Sequence, residues 1–326
     1  MSNDDVTVSV CIPSRDRPDM LLECIRSILE QTMQPQEIVI GDDSTDARTE
    51  TMLRKIDVPN LIKLVYLRNR PPVGQSRNVQ RIFEATTSGW LVLIHDDDWL
   101  LSTALQHLTS PLRNGLHVDA VFGNQLVARA DGRIDRAASS RLNAAFHRTP
   151  ERCGVQTDAA WSAAIQQFPN NGYLLRRSLA VTVGYHKDGI SDGCDFAFGV
   201  ELALAGARFF YIPIETTVYR LSPASVGRGR TAGNAAAYDF ARTVWTYRSA
   251  LPLGNRALRQ HVRKVVHRAA IWCGMRRRHR VEALKWVFHP TIGVHWWGKE
   301  GLHVLFAILA PRIRARMKHL LARHSI

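Results

Sequence analysis

The chain has 326 residues, of which 45% are hydrophobic and 22% are charged, and it carries a formal net charge of +14 at pH 7. This length and composition are typical of a globular protein with a sizeable core and argue against a collagenous, low-complexity or disordered chain. The longest apolar runs are shorter than the roughly 18 residues that cross a bilayer, and the five cysteines lack the CxxC spacing of a zinc knuckle.

Apolar, β-branched segments alternate with helical patterns along the first hundred residues. Strands are predicted at 6–12, 37–40, 62–67 and 90–94, and helices at 20–29 and 48–55; a third helix is predicted to follow the segment 68–78 and to end at Ala85. This alternation predicts a doubly wound, mostly parallel α/β sheet. Each strand ends in polar residues, so we expect the ligand crevice at the carboxyl edge of the sheet.

Two later segments carry weaker patterns. Residues 129–150 are predicted to form a hairpin turn followed by a connecting loop, because they combine an Asp-Gly pair with many small and polar residues. Residues 209–213 and 216–221 are predicted to be two separate strands.

Three consecutive carboxylates, Asp96, Asp97 and Asp98, directly follow the apolar run at 90–94. Adjacent carboxylates raise one another's pKa unless a cation neutralises them, and hard oxygen ligands select Mg²⁺ or Mn²⁺. A metal of this class implies a partner that carries phosphate. A solvated acidic turn or a helix N-cap is the alternative. The neighbouring His95 is interpreted as a hydrogen-bonded structural residue.

The order of four motifs resembles the family 2 glycosyltransferases, which have the GT-A fold. These motifs are Pro13-Ser14-Arg15-Asp16-Arg17, Asp42-Asp43-Ser44-Thr45-Asp46, Gly74 with Arg77-Asn78, and Asp96-Asp97-Asp98. The resemblance continues to about residue 225. It implies an inverting transferase that uses a nucleotide-activated sugar, often a uridine diphosphate (UDP) sugar.

The resemblance also implies roles for individual residues. The nucleotide sugar would be bound by Pro13, Ser14, Arg17, Asp42, Asp43, Arg77, Asp96 and Asp97. Asp42 and Asp43 would lie near the base, and Arg77 near the base or the diphosphate. The metal, Mn²⁺ or Mg²⁺, would be held by Asp96 and Asp98. We favour Asp98 for the metal and Asp96 or Asp97 for the ribose. Helix capping by Asp42 or Asp43 and a surface position for Arg77 stay open.

An inverting displacement needs a general base that takes the proton of the acceptor hydroxyl. The resemblance implies that Asp195, at the start of an apolar helix capped by Gly206, is this base. Asp192 is its rival, because Cys194 stands where the family has a further acid; an N-cap role is the alternative for either. Family members often have a metal-contacting histidine after a Tyr-Arg pair, where this chain has Ser222 or Pro223.

The positive charge is concentrated at the C-terminal end. Residues 251–326 include 16 basic and two acidic residues, whereas residues 1–250 include 27 of each. We expect a GT-A catalytic domain at 1–225, with a nucleotide-sugar-binding half at 1–100 and an acceptor half at 101–225. A basic, mainly helical C-terminal extension would follow at 226–326.

The composition of the extension favours two interpretations about equally. Basic residues interleaved with tryptophans fit a helix on an anionic membrane surface, and they also fit a helical segment that packs on the catalytic domain. Nucleic-acid binding is disfavoured because no recognised motif is present. The acidic first residues run directly into a strand, so we expect no signal peptide and a cytoplasmic protein, with or without peripheral contact at the inner face of the membrane.

The sequence therefore predicts metal-assisted direct displacement from a nucleotide diphosphate sugar, with a UDP-sugar favoured, to a hydroxyl of a glycan or lipid-linked acceptor. Two alternatives are weighed against it. A sugar nucleotidyltransferase would need a glycine-rich phosphate loop, and residues 13–17 contain no glycine. The other is an adaptor that carries a non-catalytic GT-A domain and binds membrane or nucleic acid through its basic C-terminus.

Overall fold

The structure is a computed structural model that describes residues 6–190, 193–221, 230–274, 280–291, 298 and 301–302. Its strands are β1 (Val8–Ser14), β2 (Glu37–Asp42), β3 (Lys63–Arg68), β4 (Trp90–Leu93), β5 (Trp99–Leu100), β6 (Ala120–Ala128), β7 (Gly154–Val155), β8 (Tyr173–Arg176) and β9 (Phe209–Arg220). The first four strands lie within two residues of the predicted positions.

The helices alternate with these strands and then follow them. They are α1 (Pro18–Leu29), α2 (Arg48–Leu53), α3 (Gln75–Ala85), α4 (Ala104–Arg113), α5 (Arg136–Ala145), α6 (Ala159–Ala164), α7 (Arg177–Val183), α8 (Cys194–Leu204), α9 (Arg230–Tyr247), α10 (Arg256–Gly274) and α11 (Arg280–Val287), with a 3₁₀ turn at Pro150–Arg152.

Within the described residues, nine strands form one mixed sheet in the order β3-β2-β1-β4-β8-β6-β9-β5, and β7 pairs with β9. The strands β3, β2, β1 and β4 are parallel to their neighbours. Beyond β4, the strand β8 is antiparallel to both β4 and β6, while β6 and β9 are parallel. The predicted α/β sheet is confirmed, and its parallel part is the nucleotide-binding type of arrangement.

The core follows from the alternation of side chains along the strands. Val8, Val10 and Ile12 of β1 are buried in one apolar cluster with the inner face of α1. Cys11 is fully buried and lies outside that cluster. Both faces of β1 are therefore buried, as expected for a parallel strand covered on both sides, and its two polar side chains, Ser9 and Ser14, are hydrogen-bonded to buried carboxylates.

Two predictions for the second half were wrong. Residues 136–145 form helix α5 rather than a loop, because the Asp135 carboxylate accepts a hydrogen bond from Ala138 N (2.9 Å) and caps the helix. Residues 209–220 form one strand rather than two. The register of β9 against β6 shifts between Phe122 and Gln125, so the strand bulges near Pro213 instead of ending there.

By its internal contacts the chain separates into two compact units. The first comprises Met1–Gly189 with Cys194–Pro223 and contains the sheet. The second comprises Ile190–Gly193 with Ala224–Ile326 and includes the helices α9 to α11. In the second unit, Trp286 is buried and packs its ring against Tyr238 and Trp245, with ring centroids 5.5 and 6.2 Å away.

Among the described helices, none combines the length and the apolar character that crossing a membrane requires.

A buried carboxylate ties β2 to the segment that leads into β4. Glu37 is 1% exposed and accepts hydrogen bonds from Ser9 Oγ (2.6 Å), from Thr87 Oγ1 (3.1 Å) and from the backbone N–H groups of Thr87 and Ser88. Burial alone would raise the pKa of Glu37, but these hydrogen bonds together outweigh burial and lower it.

We therefore expect Glu37→Gln to lower the free energy of unfolding at pH 7 by about 1–3 kcal/mol, because it turns an acceptor into a donor among buried donors. A lowered carboxyl pKa stabilises the fold above the pKa of the unfolded chain, and this contribution is lost as the pH falls through the folded pKa. Urea unfolding at pH 7 and pH 4 should show the difference between the two proteins shrinking on acidification. Glu30→Gln, an exposed control, should change little, and an equally large loss at both pH values would contradict the assignment.

Candidate functional site

The carboxyl ends of the parallel strands bring the predicted motifs to one edge of the sheet. Ser14 at the end of β1 lies opposite Asp42 at the end of β2, and Pro13 lies opposite Gly41. The loop after β4 begins at the same edge, where Ser14 Oγ donates a hydrogen bond to Asp96 Oδ2 (2.9 Å). The first, second and fourth motifs are thus neighbours at the carboxyl edge of the sheet, where the ligand crevice is expected.

Asp96 is directed toward β1. It is 4% exposed, and its Oδ2 atom also accepts a hydrogen bond from Arg15 N (3.3 Å). Arg17 Nη1 lies 3.4 Å from Asp96 Oδ1. Burial raises the pKa of Asp96 to about 6, although the positive charge of Arg17 opposes this shift. Groups of the protein itself therefore surround this carboxylate.

The next two carboxylates have different partners. Arg17 Nη1 donates to Asp97 Oδ2 (2.7 Å). Asp98 is 2% exposed, and its two oxygens accept hydrogen bonds from Arg220 N (2.8 Å) and from Asn171 Nδ2 (2.7 Å). Burial, followed by the charge of Asp97, raises the pKa of Asp98 to about 8. Asp98 thus lies in a buried, crowded anionic environment that a cation would relieve.

One group of side chains here can hold a metal ion. Ligand atoms of His95, Asp97 and Asp98 all lie within 4.8 Å of one another. Asp98 is buried while Asp97 and His95 are partly exposed, and carboxylate oxygens in such a negatively charged cluster fit Mg²⁺ or Mn²⁺. The structure therefore groups Asp98 with Asp97 and His95, and it directs Asp96, the other predicted metal ligand, to Ser14.

Asp42 is fully buried at the end of β2. Its Oδ1 atom accepts a hydrogen bond from Ser44 N (2.9 Å), and its Oδ2 atom accepts one from the Tyr66 hydroxyl on β3 (2.6 Å). Burial, together with the Asp42 carboxylate, raises the pKa of Tyr66 so that its hydroxyl stays protonated. Asp42 therefore joins the ends of two strands at the edge of the crevice.

Asp43 organises the segment before α3. It is 2% exposed, and its carboxylate accepts hydrogen bonds from Asn69 Nδ2 (2.7 Å), Val73 N (3.2 Å) and Gly74 N (2.7 Å). Gly74 has a positive φ of 86°, which a side chain would disfavour. Asn78 extends this connection, because its Oδ1 atom accepts a hydrogen bond from the same Asn69 amide (2.9 Å).

Arg77 lies on the first turn of α3, with an exposed side chain. Its Nε atom donates to His186 Nε2 (3.0 Å), and its Nη2 atom lies 3.7 Å from Asp188 Oδ1. Ser76 Oγ lies 2.9 Å from the other ring nitrogen of His186. The structure thus connects the third motif to the segment between α7 and α8.

The predicted base, Asp195, lies in the first turn of α8. Burial raises its pKa, while the proximity of His95 and a contact with the Cys194 thiol (Sγ to Oδ1, 3.6 Å) oppose the shift. His95 has its own pKa lowered by burial, with Asp97 and Asp195 opposing. His95 and Asp195 are thus close enough to influence each other. Asp192, the rival base, lies outside the described residues.

Two residues that hold the acidic loop were not predicted from the sequence. Asn171 precedes β8 and is fully buried beneath Asp98. Arg220, at the end of β9, stacks on Trp99 with 4.8 Å from Cζ to the ring centroid, and its Nε atom donates to Asp97 O (3.1 Å). Its guanidinium also pairs with Glu23 on α1. The expected histidine positions, Ser222 and Pro223, lie outside the described residues.

The comparison with known protein families identifies the fold and the enzyme class. Residues 9–169 match the family "Glycosyl transferase family 2". The chain carries a glycosyl transferase family 2 domain. The matched region includes all four motifs, and the predicted resemblance to this family is confirmed. The protein is a glycosyltransferase with a GT-A fold, and the relatives and solved structures below agree with this.

Two curated proteins illustrate the range of relatives. The chain is 29% identical over 227 residues to an uncharacterized protein of Mycobacterium tuberculosis, covering 67% of this chain and 68% of that protein. It is 25% identical over 134 residues to the GalNAc(5)-diNAcBac-PP-undecaprenol beta-1,3-glucosyltransferase of Campylobacter jejuni, covering 41% of this chain and 42% of that enzyme. The second similarity thus spans less than half of either protein.

Among solved structures, the fold resembles S. aureus TarS (residues 1–349) in complex with UDP. The TM-score is 0.55 at 12% sequence identity, covering 94% of this chain and 91% of the other. TarS in complex with UDP-GlcNAc gives the same TM-score at 14% identity, covering 93% and 81%. At these identities the similarity concerns the fold.

Because the three carboxylates point to different partners, substitutions of Asp96 and Asp98 should affect Mn²⁺ binding differently. We expect Asp98→Asn to weaken Mn²⁺ binding by at least about tenfold, because one ligand oxygen is lost, and Asp96→Asn to weaken it less, because Asp96 is directed to Ser14. Isothermal titration calorimetry with MnCl₂ on the full chain measures both.

Asp19→Asn, a substitution of an exposed residue in α1, serves as the control and should leave binding unchanged. A larger loss from Asp96→Asn than from Asp98→Asn would show that the metal lies on the β1 side of the loop instead.

Proposed function

We propose that the protein transfers a sugar from a UDP-sugar to a hydroxyl of a glycan or lipid-linked acceptor, with inversion at the anomeric carbon. The observation that carries this proposal is the cluster of Asp97, Asp98 and His95 at the carboxyl edge of the parallel sheet, with Asp195 near His95. The UDP complex of TarS and the undecaprenol-linked acceptor named for the Campylobacter relative support the donor and acceptor classes.

In this proposal the donor is bound by the four motifs. The ends of β1 and β2, with Ser14 and Asp42, would line the nucleoside end of the crevice, and Arg77 on α3 would approach the base or the diphosphate. Its exposed guanidinium can turn toward an anionic ligand, since its ion pair with Asp188 is long and lies in solvent.

The divalent ion would be held by Asp97 and Asp98, where it would neutralise charge on the departing diphosphate. Arg17 contributes a second positive charge beside Asp97. These groups favour cleavage of the bond between the sugar and the diphosphate, because negative charge accumulates on the leaving oxygen as that bond breaks.

Asp195 would act as the base on the acceptor side. The acceptor oxygen forms a bond to the anomeric carbon, the bond to the diphosphate breaks, and the hydroxyl proton passes to the Asp195 carboxylate. Burial raises the pKa of Asp195, which makes its carboxylate a stronger proton acceptor than an exposed aspartate. Asp192 remains the alternative base in this proposal.

We further propose that the catalytic domain comprises residues 1–225 and that the basic extension at 226–326 brings the enzyme to the cytoplasmic face of an anionic membrane. The concentration of 16 basic residues in 251–326 supports this location. A lipid-linked acceptor would be presented at the same surface.

We expect Asp195→Asn to lower kcat by about 10²–10⁴-fold, because an amide cannot accept the proton, while UDP affinity stays within about threefold of the original. The rate is measured as release of UDP from UDP-GlcNAc and related UDP-sugars, with Mn²⁺ and either lipid-linked acceptors extracted from membranes or glycans as acceptors. Calorimetry gives the UDP affinity.

Glu201→Gln, in the same helix, is the matched control and should retain activity. Near-native turnover by folded Asp195→Asn would exclude this residue as the base and favour Asp192. If the unaltered chain binds no nucleoside diphosphate, the proposed transfer from a UDP-sugar is excluded.

A further inference from the structure

A line of buried polar side chains extends from the interior of the protein to the acidic loop. Arg148 Nη1 donates to Gln125 Oε1 (2.7 Å), Gln125 Nε2 donates to Asn171 Oδ1 (3.4 Å), and Asn171 Nδ2 lies 3.0 Å from His95 Nδ1. Arg148, Gln125 and Asn171 are at most 4% exposed. We call these four residues the relay.

The direction of every hydrogen bond in the relay is set by its first member. A guanidinium has only donors, so Gln125 must present its carbonyl oxygen to Arg148 and its amide nitrogen to Asn171. Asn171 must then present its oxygen to Gln125 and its own NH₂ group to His95. Arg148 is also held by the backbone oxygens of Gln167 (2.8 Å) and Gln166 (3.2 Å), so its guanidinium stays in place.

Asp98 supports the same direction from the other end. The Asn171 NH₂ group donates one hydrogen to Asp98 Oδ2 (2.7 Å), and its second hydrogen is available for His95 Nδ1. Once Asp98 is ionised, as it must be to hold a cation, the opposite orientation of the amide would place its carbonyl oxygen against the Asp98 carboxylate. His95 Nδ1 is therefore the acceptor, and in the neutral ring the proton lies on Nε2.

His95 Nε2 is buried and has no hydrogen-bond partner among the described residues. A buried N–H without an acceptor is costly, which favours a ligand that supplies one. This nitrogen cannot ligate a metal in the same tautomer, because its lone pair is replaced by a proton, and the Nδ1 lone pair accepts from Asn171. The ring thus lies beside Asp97 and Asp98 without a free electron pair for the ion.

The position of His95 indicates which part of a substrate would meet it. Asp97 lies on the side of the diphosphate, and Asp195 on the side of the acceptor hydroxyl, if the proposed function holds. The group that connects diphosphate and acceptor during the reaction is the transferred sugar, and its hydroxyl oxygens can accept a hydrogen bond.

We propose that His95 binds an oxygen of the transferred sugar through Nε2–H and is not a metal ligand, and that Asn171, Gln125 and Arg148 are positioning residues that fix this tautomer. The proposal rests on the proposed function for the identity of the ligand. The tautomer and the direction of the relay do not depend on it.

The tautomer is tested first, on the full chain labelled with ¹⁵N-histidine. Nitrogen chemical shifts, with His95 assigned by its loss in His95→Asn, should show a proton on Nε2 and none on Nδ1, before and after saturation with MgCl₂. A proton on Nδ1, or loss of the Nε2 proton when Mg²⁺ is added, would overturn the assignment in favour of a metal ligand.

The relay is tested in the same spectra with Gln125→Glu. Glutamate keeps the acceptor for Arg148 and the shape of the side chain, but it offers no N–H to Asn171, so the Asn171 amide can turn. We expect His95 to become a mixture of tautomers. Gln106→Glu, an exposed control, should leave the spectrum unchanged, and an unchanged His95 in Gln125→Glu would remove the positioning role of the relay.

The ligand is tested by calorimetry with UDP and UDP-GlcNAc as probes, in the presence of Mn²⁺. His95→Asn lacks a donor at the Nε2 position and should weaken UDP-GlcNAc binding by about tenfold to a hundredfold, with UDP affinity and Mn²⁺ affinity within about threefold. His95→Gln places an amide N–H near the position of Nε2 and should recover part of the loss. His117→Asn is the matched control on an exposed histidine.

The remaining calorimetry results separate failure of the sugar contact from failure of the proposed function. Equal weakening of UDP and UDP-GlcNAc, or a large loss of Mn²⁺ affinity, would overturn the sugar contact while leaving the proposed function in place. If the unaltered chain binds neither nucleotide, the proposed donor and the sugar contact both fail, and the nitrogen spectra alone decide the tautomer.

Discussion

The central physical constraint in this protein is the crowding of three adjacent carboxylates at the end of a buried strand. Asp96 and Asp98 are almost fully buried, and each needs partners that offset the loss of water. The chain meets this need by giving each carboxylate its own partners. Asp96 is bound by the β1 end, Asp97 by Arg17, and Asp98 by Asn171 and the backbone of Arg220. The crevice at this edge is shaped by these contacts.

The partners of Asp98 come from the part of the sheet beyond β4, where the strands are no longer all parallel. From the parallel half, the residues at and after the end of β1, Ser14, Arg15 and Arg17, contact the acidic loop. Because β8 runs antiparallel to β4, the residues that precede β8 lie at the carboxyl end of β4, which brings Asn171 beneath Asp98. The strand β9 ends at the same place and supplies Arg220. The second half of the sheet thus supports the acidic loop through Asn171 and Arg220, and Arg220 also connects it to Glu23 on α1.

The sequence predicted the parallel half well because its signals are local. Apolar runs of strand length and the polar residues after them mark β1, β2 and the loop at Asp96–Asp98 directly. Asn171 and Arg220 were missed because their roles depend on which strands become neighbours, which the pattern along the chain does not show. Helix α5 was missed because a single aspartate cap, Asp135, outweighed a loop-like composition.

The separation of roles within the triplet also depends on tertiary contacts. All three aspartates have the same side chain, and their spacing in the sequence does not distinguish the metal ligand, although the sequence analysis favoured Asp98. The structure distinguishes them by direction, since Ser14 attracts Asp96 while Asn171 and Arg220 orient Asp98. His95, interpreted from sequence as structural, does form a hydrogen bond with Asn171 in the fold, yet among the described residues its second ring nitrogen has no partner.

The most direct test of this account is a crystal structure of the full chain with Mn²⁺ and UDP, with anomalous diffraction recorded at the manganese absorption edge. We expect one strong anomalous peak about 2.0–2.3 Å from oxygens of Asp98, Asp97 and the UDP diphosphate, with Asp96 still bound to Ser14. A peak coordinated by Asp96 in place of Asp98, or UDP bound away from this edge of the sheet, would contradict it.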